Sequence, residues 1–176
     1  ICNGSDVILT ASGGNKFIWS TGDTLSLIKV SPKISTTYTV TVDNNSGCTD
    51  SDDVEIVVIN KPTANAGKDT SICSNTIGYK FNGIGGKSCC WFPSNGLSDS
   101  SSYSPIANPL ITTKYVLTVK DTCGIGIDDI VLTVNNIPTA YAGKDINICR
   151  GTSVNLFGNG GNKHKWSSSN SLNNDT

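Results

Sequence analysis

Seven cysteines, a lone histidine and one short acidic cluster are the residues of this 176-residue chain whose types could carry chemistry. The cysteines, at 2, 48, 73, 89, 90, 123 and 149, show neither CxxC nor Cys/His spacing, so they do not read as zinc ligands. With no Met and abundant Ser, Thr, Asn and Gly, they fit export to an oxidising compartment better than a cytosolic enzyme. Hydrolytic catalysis needs a positioned acid, base or nucleophile. His164 is a poor base candidate, because Phe17 and Cys89 stand at its place in sister segments of the chain. Asp50, Asp52, Asp53 and Glu55 could gather oxygen ligands for Ca²⁺, yet only Asp128 and Asp129 occupy the matching place further on. The preferred reading is a row of charges that guards a strand end against edge pairing. Lys68-Asp69 and Lys144-Asp145 read as a polar opening to a strand, with no isopeptide chemistry assigned. The expectation is no catalytic residue, no metal and no cofactor.

Thirteen basic and fourteen acidic residues nearly cancel, and no basic run exists to attract nucleic acid. No apolar stretch approaches the roughly 20 residues that span a bilayer. The opening Ile1-Cys2-Asn3-Gly4 lacks the features of a signal peptide, so the chain is expected to begin inside a mature protein. At 36% hydrophobic residues, modest cores and small modules are favoured.

Self-similarity organises the rest. Ile1-Cys2-Asn3-Gly4, Ile72-Cys73-Ser74-Asn75 and Ile148-Cys149-Arg150-Gly151 open three parallel stretches with spacings of 71 and 76 residues. Each leads to a Gly-Gly followed by a Trp: Gly13-Gly14 to Trp19, Gly85-Gly86 to Trp91, and Gly160-Gly161 to Trp166. Tyr38 and Tyr115 then head matching strands, Thr-Val-Thr-Val and Val-Leu-Thr-Val. Lys61-Pro62-Thr63-Ala64-Asn65-Ala66-Gly67-Lys68-Asp69 recurs as Ile137-Pro138-Thr139-Ala140-Tyr141-Ala142-Gly143-Lys144-Asp145, each opening a new module. Three repeats follow: residues 1–60 lacking a first strand, 61–136 complete, and 137–176 the N-terminal half of a third. The whole is expected to be a section of a longer array.

The elements that must position these residues are strands. Period-two alternation marks Val7–Ala11, Phe17–Trp19, Tyr38–Val42 and Val54–Val58 in the first repeat, with Gly, Asn, Asp and Ser clusters between them. No segment has a helical period. About seven strands in some 75 residues, with a Trp and a later Tyr, predict an all-β fold of tandem Ig-like (PKD-like) antiparallel β-sandwich repeats. Trp19, Trp91 and Trp166 are read as core anchors, with carbohydrate stacking as the sharper alternative. Tyr38 and Tyr115 take the tyrosine-corner position, the hydroxyl bonding a nearby backbone group. The early cysteine and the one in the turn before the last strand are expected to meet at one end of each sandwich, giving Cys2–Cys48 and Cys73–Cys123. Cys149 has its partner outside the chain on this reading. Alternation sends Cys89 to the Trp91 face and Cys90 to the opposite one, as a free pair or a strained vicinal disulfide.

The Pro-Thr-Ala-Asn-Ala-Gly-Lys-Asp opening, the Thr-Thr-x-Tyr strand, Ile-Cys, Gly-Gly before Trp, and Gly47-Cys48 together resemble the cysteine-containing Ig-like/PKD-like repeats of Bacteroidota surface proteins, whose members include gliding-motility adhesins. The Asp-Pro-Asp-Gly loop common in PKD domains is absent. The resemblance implies a non-enzymatic segment of a large adhesin at the outer-membrane exterior, exported by type IX secretion and serving gliding and attachment. Implied partners are the substratum or extracellular polysaccharide, neighbouring repeats, and motor and secretion machinery reached through other parts of the protein. It also makes Thr24, in Asp23-Thr24-Leu25, a candidate for O-glycosylation. The alternative is an accessory spacer or glycan-binding region of a secreted hydrolase.

Overall fold

Alternating apolar residues in the first repeat pair into five strands, as a computed structural model of the chain describing residues 1–167 shows. These are β1 (Val7–Thr10), β2 (Lys16–Trp19), β3 (Leu27–Val30), β4 (Thr36–Asp43) and β5 (Thr49–Ile56). The second repeat holds β6 (Thr70–Cys73), β7 (Tyr79–Lys80), β8 (Ser88–Phe92), β9 (Ile106–Ala107), β10 (Thr113–Asp121) and β11 (Gly124–Asn135). No helix forms among the described residues. The C-terminal part of the third repeat, 168–176, lies outside them.

Each of the first two repeats sets a larger sheet against a two-stranded one. In the first repeat the order is β2-β4-β5 facing β1-β3; in the second it is β6-β11-β10-β8 facing β7-β9. Neighbouring strands are antiparallel with one exception: β6 runs parallel to β11, with Cys73 opposite Asn135. The first repeat repeats this pairing as a parallel bridge between Cys2 and Ile59.

The inward faces carry the cores. Leu9, Trp19, Ile28, Val30 and Tyr38 form one cluster. Phe81, Trp91, Ala107, Tyr115, Leu117, Val119, Ile130 and Leu132 form the centre of a larger one, joined by Ala64 and Ala66 of the opening segment. The Phe81 ring stands 4.9 Å from Trp91 and 5.3 Å from Tyr115, so three of the cluster's largest buried side chains meet at its centre. The second core is the larger, and the opening segment adds Ala64 and Ala66 to it. In the third repeat Trp166 is half-buried, and a Cβ on Gly158 would sit 3.0 Å from its ring, as one on Gly83 would sit 2.7 Å from Trp91.

Candidate functional site at the joint between repeats

The cysteines pair across the joint. Cys2 of the first repeat is bonded to Cys123 of the second, 121 residues away, with a Cα–Cα distance of 5.2 Å. This corrects the expected pairs Cys2–Cys48 and Cys73–Cys123, for Cys48 and Cys73 are both free and exposed. The reason is the parallel pairing of the early strand. Cys2 bridges Ile59, beyond the C-terminal end of β5, whereas Cys48 directly precedes the start of β5 at Thr49. The eight residues of β5 alone span roughly 25 Å. Cys73 likewise lies beside Asn135 at the end of β11, and Cys123 precedes its first residue, Gly124, twelve strand positions away, roughly 40 Å. A disulfide needs Cα atoms within about 7 Å, so neither expected pair can close.

Local sequence builds each half of the joint. On one side, a turn closed by Ser5 N donating to Cys2 O at 2.9 Å holds Cys2. Asn3 N donates to Ile59 O at 2.9 Å, and the Asn3 side-chain amide donates to the Asn60 side-chain carbonyl at 2.8 Å. On the other side, Asp121 and Gly124 pair across a tight hairpin whose loop residues are Thr122 and Cys123. Cys123 N donates to Asp121 Oδ1 at 2.7 Å and fixes the loop. The hairpin lies on the linker: a Cβ on Gly124 would come 3.4 Å from Lys61 Cβ, and one on Gly126 would meet Pro62 O at 2.3 Å. Gly126 therefore admits the linker backbone, and the linker brings the Cys2 end of one sandwich to the hairpin of the next.

The other singled-out residues fall elsewhere. Trp19 and Trp91 are buried, and their indole N–H groups donate to Leu25 O at 2.9 Å and Ser102 O at 3.0 Å. They point into the cores, away from any sugar. Tyr115 is fully buried and its hydroxyl donates to Asn95 O at 2.8 Å, while burial pushes its phenol pKa up. Its partner lies in the loop after β8, twenty residues back, so Tyr115 ties that loop to β10 instead of locking a nearby corner. Tyr38 is buried at the matching position of β4. Cys89 is half-buried against the core beside Trp91, and Cys90 is exposed on the other face; both are free thiols. Thr24 is exposed in the loop between β2 and β3, and His164 is exposed.

Asp50, Asp52, Asp53 and Glu55 all lie exposed along β5, inside the strand that was expected to begin at Val54. Among the described residues no cluster of three or more His, Cys, Asp or Glu is placed to hold a metal ion. An open groove of about 360 Å³ runs beside them, lined by residues that include Ala11, Gly13, Val40, Val42 and Asp52. In the second repeat the opening segment occupies the corresponding place, with Asn65 bridging Ile84 and Gly85 pressed on Thr63.

No family model and no curated protein matches the chain. Solved structures do. A three-domain immunoglobulin fragment of titin aligns with a TM-score of 0.51 at 13% identity, covering 78% of this chain and 62% of that fragment. The first two immunoglobulin domains of DIP-gamma align at 0.51 and 14% identity, covering 76% of this chain and 91% of theirs. The fold is immunoglobulin-like. Both matches are tandem immunoglobulin domains. This chain thus spans less than two thirds of the titin fragment, and at these identities the likeness concerns the fold alone.

Proposed function

We propose that the chain is a non-enzymatic section of a long cell-surface adhesin, in which Ig-like repeats set reach and stiffness and transmit tension. The observation that carries this reading is the Cys2–Cys123 bond. A covalent tie across a joint adds nothing to a catalytic pocket, but it resists separation and bending of successive modules. The short Pro-containing linker at Lys61-Pro62, covered by the β10–β11 hairpin, works in the same direction. Disulfides persist in oxidising surroundings, which supports an exported, surface location.

The repeat pattern supports the finer reading, a Bacteroidota surface repeat most similar to those of the gliding-motility adhesin SprB. Its partners on this reading are the substratum or extracellular polysaccharide, with the motor and secretion machinery engaged elsewhere in the protein. Beads coated with antibody against residues 61–136 should bind living cells that carry the protein and travel along them, stopping when the proton gradient is collapsed. Static beads on gliding cells would remove the motility adhesin and leave a passive surface module. Turnover of a polysaccharide or protein substrate by the purified chain would overturn the non-enzyme reading.

A further inference from the structure

We infer that Cys73, like Cys149 and Cys48, is an open half of the same kind of joint, so that a run of these repeats is stitched at every junction by a bond from the early cysteine of one repeat to the hairpin cysteine of the next. The inference stands on equivalence of position. Cys2, Cys73 and Cys149 close the same turn, with Ser5 N, Thr76 N and Thr152 N donating to their carbonyls at 2.9, 2.9 and 3.1 Å. Cys2 and Cys73 also pair in parallel with Ile59 and Asn135, and the following residues, Asn3 and Ser74, donate to those partners' carbonyls at 2.9 and 2.8 Å. Cys48 and Cys123 both lie in the loop that enters the final strand, Cys123 in a two-residue hairpin and Cys48 in a longer one, opposite Asn44 and level with Gly124. One member of each set is bonded to the other across a joint, and the remaining members are exposed thiols.

The distal pole of the second repeat has the makings of that joint. Cys73 and Asn135 lie together just before Ile137-Pro138, the counterpart of Lys61-Pro62. A hairpin seated on Ile137-Pro138 as the β10–β11 hairpin sits on Lys61-Pro62 would deliver its cysteine to Cys73. No cysteine of the second repeat competes: Cys123 is at the far pole, and Cys89 and Cys90 lie within β8, opposite Val119 and Thr118 of β10. The partner of Cys73 is therefore the hairpin cysteine of a like repeat on its C-terminal side. That of Cys48 is the early cysteine of a like repeat on its N-terminal side.

Closure oxidises two thiols to one disulfide. The two electrons and two protons pass to a disulfide oxidant: a thiolate attacks it, one half leaves as a thiol, and the second cysteine displaces the other half from the mixed disulfide.

The test lengthens the full chain by one more copy of residues 61–136, inserted between Asn136 and Ile137, and folds it with reduced and oxidised glutathione as the redox couple. Peptide mapping without reduction should find Cys2–Cys123 and a second bridge joining Cys73 to the hairpin cysteine of the inserted copy. In the Cys73→Ser variant that hairpin cysteine should become alkylatable while Cys2–Cys123 persists. Finding both thiols alkylatable beside an intact Cys2–Cys123 bond would overturn the inference, as would a bridge closed within one repeat. Failure of Cys2–Cys123 to form in the unaltered chain would remove the relationship on which it rests.

Discussion

The carboxylate of Asp128 accepts a hydrogen bond of 2.7 Å from the backbone amide of Ala66 and thereby ties the opening segment of the second repeat to its last strand. Asp69 acts in the same way at the other end of that segment, accepting from Val131 N at 2.8 Å. Two backbone donors are thus satisfied by acids, one of them the partly buried amide of Ala66. Asp52 holds the matching place in β5, where its carboxylate meets the amide of its own neighbour Asp53 at 2.9 Å.

The pair gives a first prediction. Asp128→Ala should destabilise the second repeat by about 1–3 kcal/mol, because it strands a partly buried amide. Asp52→Ala, at an exposed site without such a donor, should stay within about 0.5 kcal/mol. Hydrogen exchange reads this directly: the Ala66 amide should exchange faster in Asp128→Ala than in the parent. Unchanged exchange there would show that the opening segment is held by its apolar contacts alone.

A second prediction compares the Gly-Gly turns. Gly85 has φ +121° and a Cβ there would meet Thr63 O at 2.3 Å, while Gly13 has φ +96° and nothing within 4 Å. An alanine at either position carries the strain of a positive φ, of the order of 1–2 kcal/mol. Only Gly85→Ala also pushes the opening segment off its bed. Urea unfolding should show a clearly larger loss for Gly85→Ala than for Gly13→Ala, and equal losses would deny the close packing of that segment.

The contrast between what the sequence foretold and what it hid has a physical basis. Repeats, buried Trp and Tyr anchors, and the split of Cys89 and Cys90 between faces all follow from spacing and alternation, which strands obey locally. The disulfide depended on which pole each cysteine occupies, and that is set by whether the early strand runs parallel or antiparallel to the last. Local pattern is blind to this choice. The length of the last strand held a clue: its alternation at Val54–Val58 was legible, but charged residues from Asp50 to Glu55 masked its start at Thr49. A strand that long separates Cys48 from anything paired with its far end. Asp69 and Asp128 were hidden too, since a carboxylate that caps a backbone amide looks like any other surface acid.

Cys89 supports a third prediction. Burial, then the neighbouring Cys90 and Asp99, push its thiol pKa above the ordinary value. The neutral thiol therefore persists to higher pH, and the thiolate that reacts with alkylating agents is scarcer near neutrality. Iodoacetamide labelling followed by peptide mass spectrometry should find Cys89 slower than the exposed Cys73 at pH 8, with the gap narrowing as pH rises. Labelling of Cys89 as fast as Cys73 at that pH would mean that its side of β8 is open to solvent.

The position of the disulfide yields the last prediction. The bond between Cys2 and Cys123 closes a loop of 121 residues, and the chain-entropy argument allows it up to roughly 5 kcal/mol by restricting the unfolded chain. Residues 61–136 alone contain Cys73 and Cys123 at opposite poles, so nothing inside that repeat should respond to reduction. Dithiothreitol should then lower the unfolding midpoint of the 176-residue chain and leave that of the isolated repeat unchanged. The double variant Cys2→Ser with Cys123→Ser should match the reduced parent with or without reductant, which separates loss of the bridge from any other effect of the reagent. If the isolated repeat lost stability on reduction, a bridge within it would have to exist, and finding it between Cys73 and Cys123 by peptide mapping would show the parallel pairing of β6 with β11 to be wrong.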